Sequence, residues 1–100
     1  MLIIAGTFRI DPALRDTAVA AANVMMAETL KEKGCHSYAF TSDFADPARI
    51  HLFERWENQE ALSAHFATPH MARFQGVIGK LGVKDFEVQK YTISAVGPVR

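Results

Sequence analysis

Cysteine is almost absent from this 100-residue sequence, in which Cys35 is the only one. A single cysteine excludes an intramolecular disulfide, and a free thiol is typical of a reducing compartment, so we expect a cytoplasmic protein. Long apolar runs are also lacking, because no stretch approaches the roughly 20 residues that a membrane helix needs. The apolar segment 2–10 has no basic leader and no small-residue cleavage site, and we interpret it as a strand.

An excess of charge of one sign is lacking as well, since 11 lysines and arginines balance 11 aspartates and glutamates. Without a net field, neither nucleic acid nor a membrane surface is expected as a partner. The sequence has no glycine-rich phosphate loop and no GxSxG elbow, which removes nucleotide binding and serine hydrolysis as motif-based options. No set of histidine, cysteine or carboxylate positions has zinc spacing, so we predict no metal.

The residues that are present indicate an ordinary globular domain, with 49% hydrophobic and 22% charged residues. The length falls within the single-domain range, so we predict one domain, residues 1–100. Stretches rich in β-branched and aromatic residues alternate with stretches of helical periodicity. These patterns predict strands at 2–10, 35–43, 49–57 and 85–94, a helix at 13–33, and a second helical region in two pieces at 59–67 and 70–80.

The order β-α-β-β-α-β predicts a ferredoxin-like α+β fold. Right-handed crossovers arrange this order as a four-stranded antiparallel sheet with the helices on one face. The first strand carries apolar residues on both faces, with Leu2 and Ile4 on one and Ile3 and Ala5 on the other. Because a bare apolar sheet face needs a cover, we predict a homodimer in which the two sheets pack together.

The stretch ERWENQEALSAHFATPHMARF, residues 54–74, resembles the core signature of the antibiotic-biosynthesis monooxygenase family. It has an acidic residue and a tryptophan on the third strand, a capped helix, an inward histidine and then a second histidine. The upstream piece EKGCHSYAFTSDFADP, residues 32–47, is similar to the family's passage from the first helix through the second strand. The resemblance covers nearly the whole chain.

This resemblance implies a dimeric α+β barrel with a pocket between the helices and the sheet of each subunit. In that family the pocket often supports oxygenation without metal, flavin or haem, so we expect no cofactor. The haem-degrading branch uses a histidine ligand and an inward tryptophan on the second helical region, where this sequence has Gln75 and His65. The resemblance therefore does not extend to haem chemistry.

His65 is the candidate catalytic residue. It follows Ala61 and Leu62 by four and three residues, which places the imidazole on the apolar, sheet-facing side of its helix. A histidine in a pocket can accept a proton from a phenol or hydroxyquinol at neutral pH. The alternative is a core histidine that is hydrogen-bonded to a neighbour.

Several further residues are candidates for substrate binding, because aromatic side chains at these positions could line a slot for a flat substrate. The aromatic candidates are Tyr38, Phe40, Trp56, Phe66 and Phe74, and the polar candidates are Glu54 and His70. Ordinary roles are open for each of them. The aromatic residues could be plain core, Glu54 could orient a histidine or accept the indole hydrogen, and His70 could cap the preceding turn.

The function that we expect is a cofactor-independent monooxygenase, in which His65 deprotonates a small electron-rich aromatic substrate, a quinol or an anthrone, that then reacts with dioxygen. One alternative is an isomerase of a small hydroxy-ketone, in which the same histidine moves a proton and no oxygen is consumed. Another is a non-catalytic dimer that binds a hydrophobic metabolite. Fold alone does not choose between these functions.

Overall fold

The computed structural model describes residues 1–100 and contains one four-stranded antiparallel sheet with three helices. The strands are β1 (Leu2–Arg9), β2 (Cys35–Ser42), β3 (Arg49–Trp56) and β4 (Lys84–Thr92), in the spatial order β2-β3-β1-β4. The helices are α1 (Arg15–Thr29), α2 (Gln59–Phe66) and α3 (Pro69–Ile78). This arrangement confirms the predicted ferredoxin-like α+β fold.

The connection into α1 begins as predicted, but the helix is shorter than the predicted 13–33. The Asp11 carboxylate accepts a hydrogen bond from the Ala13 backbone at 3.0 Å and caps a 3₁₀ turn, Pro12–Leu14, before α1 starts. After α1, the N–H groups of Lys31 and Glu32 bond back only three residues, at 3.2 and 3.0 Å. Such i→i+3 bonds tighten and end a helix, so Glu32 lies in a turn rather than in the helix.

The second helical region divides into two helices, as the capping residues predict. Asn58 accepts a hydrogen bond from the Ala61 backbone at 2.9 Å and caps α2. Thr68 accepts one from Met71 at 3.3 Å and caps α3, and Pro69 follows at the first helical position. The bend puts His65 near the end of α2 and His70 in the first turn of α3.

The core lies between the sheet and the helices. Its larger cluster contains residues from β1, β2, β3 and all three helices: Leu2, Met25, Tyr38, Trp56, Leu62 and Phe74. A smaller cluster contains Phe8, Ile10, Ala48 and Leu81. Strand pairing places Leu2 opposite Trp56 and Tyr38 opposite Glu54, so the buried residues of the sheet share the helical face.

The opposite sheet face and β4 remain largely uncovered within one chain. Phe53 on the helix-free face is 42% exposed, and on β4 Phe86 and Tyr91 are 61% and 50% exposed. None of the helices has the length and apolar content that crossing a bilayer requires. Phe53 and Tyr91 lie on the helix-free face, in agreement with the apolar pattern from which the sequence predicted a partner.

Candidate functional site

One carboxylate holds two histidines at the junction of the helices. The Nδ1 atom of His65 lies 2.7 Å from Oε2 of Glu32, and the Nε2 atom of His70 lies 2.8 Å from the same oxygen. His65 comes from α2, His70 from α3, and Glu32 from the turn between α1 and β2. The bend at Thr68 and Pro69 brings the two imidazole rings to a centroid distance of 6.1 Å.

The hydrogen bond to Glu32 determines how His65 can react. A carboxylate accepts hydrogen bonds, so the neutral imidazole carries its proton on Nδ1 and its lone pair on Nε2. The His65 side chain is 1% exposed, and its Nε2 atom is buried without a hydrogen-bond partner. Buried polar atoms are normally paired, so an unpartnered imidazole nitrogen is a candidate acceptor for a proton on a bound molecule.

Aromatic rings surround His65. Its ring centroid lies 4.8 Å from that of Trp56, 5.5 Å from that of Tyr38 and 5.7 Å from that of Phe66. Trp56 and Tyr38 are buried, whereas Phe66 is 56% exposed. The structure therefore brings the predicted site residues His65, Trp56, Tyr38 and Phe66 together with His70. Of these residues, Phe66 is left at the surface.

Glu54 joins this cluster through the indole of Trp56, whose Nε1 donates to Glu54 Oε1 at 2.9 Å. Burial raises the pKa of Glu54 to about 7; the indole hydrogen bond opposes this rise and the charge of Glu32 adds to it. Burial, followed by the charge of Glu54, raises the pKa of the Tyr38 phenol well above its usual range. Burial and the charge of Glu32 also raise the pKa of the Cys35 thiol to about 11, so neither group is a nucleophile near neutral pH.

Two cavities flank the aromatic core. A cavity of about 200 Å³ lies between α1, α3 and the sheet, and its lining includes Phe40, Phe74 and Arg15. Arg15 is held there by Ser42 Oγ at 2.8 Å. A second cavity of about 190 Å³ lies between α1 and α3, and its lining includes His70, Arg73 and Phe74.

The predicted aromatic slot is therefore divided in two. Phe40 and Phe74 line cavities, with ring centroids 5.3 Å apart. Tyr38, Trp56 and His65 form a packed group beside them and line neither of the two cavities. Tyr38 connects the groups, because its ring centroid lies 5.5 Å from those of both Phe40 and His65.

Glu32 is the site residue that sequence reasoning missed. It lies 33 residues before His65, and no local motif links them. One indirect signal was available, since pairing of β2 with β3 places Cys35 opposite Trp56. The turn that precedes β2 must then lie beside the helix that follows β3. Gly34 in this turn has φ +82°, and a Cβ there would come within 2.7 Å of the Ala61 Cβ on α2.

The comparison with known families agrees with this geometry. A family model described as antibiotic biosynthesis monooxygenase matches residues 1–77. The chain belongs to this family. Membership supports a monooxygenase-type function and confirms the resemblance that the sequence suggested.

Two curated relatives of this monooxygenase family carry functional names. A candidate monooxygenase of Mycobacterium tuberculosis, Rv0793, is 33% identical over 70 residues, which are 70% of this chain and 68% of that protein. The protein named "Probable quinol monooxygenase YgiN" of Escherichia coli is 39% identical over 57 residues, 49% of this chain and 55% of that protein. A third relative, the uncharacterized protein sll1783 of Synechocystis, is 29% identical over 93% of this chain, which spans 63% of its length.

Solved structures show the same fold in other members of the family. A candidate antibiotic biosynthesis monooxygenase from Deinococcus radiodurans superposes with a TM-score of 0.90 at 22% identity, over 100% of this chain and 99% of that one. The structure of Rv0793 superposes with a TM-score of 0.77 at 25% identity, over 99% and 97% of the two chains. These likenesses confirm the ferredoxin-like architecture of the chain.

Proposed function

We propose that this protein is a cofactor-independent monooxygenase that oxidises a small electron-rich aromatic compound of the quinol or anthrone type with dioxygen. The observation that carries the proposal is the buried His65, whose Nδ1 is held by Glu32 and whose Nε2 has no partner. A base fixed in this tautomer among aromatic rings is suited to a phenolic proton. The names of the relatives point to the same reaction class.

In the proposed reaction, Nε2 of His65 removes a hydroxyl proton from the substrate. The resulting anion passes one electron to dioxygen, and the two radicals combine at a ring carbon. For an anthrone that reacts as its enol, the O–O bond of the adduct then breaks, one oxygen stays as the new carbonyl, and the other leaves as water with the hydrogen on that carbon and the proton that His65 had taken. The protein supplies orientation, exclusion of water and the base.

The size of the cavities favours a small substrate. Each holds about 190–200 Å³, below the roughly 300–1,000 Å³ of typical drug-sized pockets. Neither cavity reaches Nε2 of His65, so the proposal requires a side chain beside the imidazole to move when substrate binds. Phe66 packs against His65 while 56% exposed, and it can therefore move with little loss of burial. In this role, Phe66 would gate access to the base.

The proposed working form is a homodimer formed through the helix-free sheet face. Phe53 and Tyr91 are half-exposed there, and the Nε atom of Arg55, on the same face, is buried without a partner. A second copy would cover this apolar surface and could pair with Arg55. We place the protein in a reducing, cytoplasmic compartment, because its single thiol at Cys35 has no disulfide partner.

The decisive experiment measures dioxygen consumption with a panel of reduced naphthoquinols, anthrones and catechols, after subtraction of autoxidation. We expect uptake above background in the wild type and a loss of about 10²- to 10⁴-fold in His65→Ala, since that is the usual contribution of a general base. His36→Ala is the matched control, because His36 pairs with Glu57 at the surface, outside this cluster, and should keep wild-type turnover.

The other outcomes separate the alternatives. Unchanged uptake in His65→Ala would contradict the assignment of the base. Uptake equal to background for every compound would contradict the monooxygenase and favour an isomerase or a binding protein. Binding of the same aromatic compounds without turnover, measured by calorimetry, would then identify the binding protein.

A further inference from the structure

We infer that Glu32, His65 and His70 form a binding site for a divalent transition-metal ion such as Zn²⁺ or Co²⁺. Each residue offers one donor atom, and the three atoms lie within 4.8 Å of one another. Two imidazole nitrogens and one carboxylate oxygen form a ligand set that binds zinc and related ions in open, reactive sites. The expectation of no metal rested on spacing along the chain, which does not reveal a donor 33 residues away.

The Glu32 carboxylate now lies at hydrogen-bonding distance from both histidines, so a bound metal would require these groups to move slightly apart. Metal–nitrogen and metal–oxygen bonds of roughly 2.1 Å at tetrahedral angles place neighbouring donors about 3.4 Å apart. The two N···O distances from Glu32 are 2.7 and 2.8 Å, so these two pairs must open by about 0.6 to 0.7 Å. Glu32 lies in a turn and His70 in the first turn of a helix, so these two can move while the buried His65 stays fixed.

Access and charge also suit a cation. The side chains of Glu32 and His70 are 13% and 12% exposed, so an ion can reach them without unfolding of the core. The ion-pair partners of Glu32 are these two histidines, and no lysine or arginine neutralises its carboxylate. With both imidazoles neutral, the cluster carries one negative charge. Arg73, which lines the same cavity as His70, is exposed to solvent.

The proposed site leaves room for a further ligand. Three protein donors leave the fourth position of a tetrahedral ion free for water or a small anion. His70 lines the cavity of about 190 Å³ between α1 and α3, which would give this fourth position contact with solvent. The site would therefore resemble an open metal centre rather than a closed structural one.

Metal binding and base catalysis by His65 exclude each other, a consequence that rests on the proposed function. A metal bound to Nδ1 displaces the proton there, and a neutral imidazole then carries its proton on Nε2. Nε2 becomes a donor and can no longer accept a proton from the substrate. A divalent ion should therefore inhibit the monooxygenase reaction, and chelation should restore it.

The test uses untagged, chelator-treated full-length protein titrated with ZnCl₂ in a calorimeter, and with CoCl₂ in a visible spectrophotometer. We expect one ion per chain and the intense visible absorption of four-coordinate Co²⁺. Glu32→Gln and His70→Ala should each weaken binding by at least about 10-fold. His36→Ala is the control, since it removes the histidine of the surface pair with Glu57 and should leave binding unchanged.

Three outcomes would overturn the inference. The first is no saturable binding at millimolar Zn²⁺, and the second is binding by both cluster variants that is as tight as in the wild type. The third is a loss of affinity in the His36→Ala control that equals the loss in the cluster variants. Circular dichroism of each variant shows whether it is folded, and His70→Gln provides a second variant if His70→Ala is not. The Co²⁺ absorption can be measured without substrate. Metal binding by a protein that shows no oxygen uptake would therefore support the metal site and contradict the proposed function. Metal binding without inhibition of an active enzyme would overturn the mutual exclusion.

Discussion

Replacement of Glu54 by Gln should stabilise the protein at high pH and have little effect at low pH. Burial raises the pKa of Glu54 to about 7 from an ordinary value of 4.5, so the folded protein holds this proton between those pH values and the unfolded chain does not. The stability that the proton contributes is present below pH 4.5 and is lost as the pH rises to 7. At about 1.36 kcal/mol per pKa unit, the ionised carboxylate costs about 3 kcal/mol at pH 8.

In the wild type, Trp56 Nε1 donates a hydrogen bond to Glu54 Oε1 at 2.9 Å. Glutamine removes the charge and keeps this hydrogen bond, because its side-chain carbonyl can still accept from the indole. Relative to wild type, Glu54→Gln should gain about 3 kcal/mol at pH 8 and less than about 1 kcal/mol at pH 5. Urea unfolding followed by far-ultraviolet circular dichroism measures both values. Protein concentration must be equal in all samples, since the stability of a dimer depends on it.

Glu60→Gln is the matched control for this experiment. Glu60 is exposed in the first turn of α2, where a negative charge stabilises the helix N-terminus only modestly, so the loss of this charge should change stability by less than about 1 kcal/mol at either pH. A Glu54→Gln variant that is no more stable than wild type at pH 8 would refute the buried-charge argument. An equal gain at pH 5 and pH 8 would refute it too, because the effect would not come from ionisation.

Two further substitutions test the supports of the site and the proposed dimer. Thr68→Ala removes the cap of α3 and the 2.8 Å bond from Thr68 Oγ1 to the His65 carbonyl, and should cost about 1 kcal/mol in urea unfolding, whereas Thr68→Ser should cost less. Equal stability of the alanine variant and wild type would contradict this role. Phe53→Glu should convert a wild-type dimer to monomer in analytical ultracentrifugation, while Val96→Glu, 69% exposed in the C-terminal segment, should not. A monomeric wild type at micromolar concentration would contradict the dimer itself.

The fold was predictable from the sequence because its boundaries carry local chemical signals. Asn58 is a capping residue, and Thr68-Pro69 is a cap with a first-turn proline. The helix α2 begins at the predicted residue 59, and α3 begins at Pro69, one residue before the predicted 70. The end of α1 was predicted too late, at residue 33 instead of Thr29. Lysines and glutamates are good helix formers, so the sequence 28–33 reads as helix. The turn instead depends on Gly34 and its contact with α2, which is a tertiary effect.

The site was predictable in the part that one helix and one strand determine. Helical spacing placed His65 on the buried face of α2, and strand alternation placed Glu54 and Trp56 together, where they form the hydrogen bond that was one of the two roles considered. The same spacing did not distinguish the exposed Phe66 from the buried residues. Helical spacing and strand alternation could not identify Glu32, because its position depends on how the turn before β2 packs against α2. Periodicity within elements locates a histidine, but packing between elements determines its partner.

Glu32 and Glu54 divide the negative charge near His65 between them. Glu32 lies within hydrogen-bonding distance of two histidines, whereas Glu54 is buried and accepts one hydrogen bond from an indole. The charge of Glu32 further raises the pKa of Glu54, so near neutral pH one negative charge is less costly than two. That remaining charge lies at the only carboxylate that fixes the His65 tautomer. Glu54→Gln should therefore change stability without changing the base, whereas Glu32→Ala, which leaves the Nδ1 hydrogen of His65 without this acceptor, should release the base.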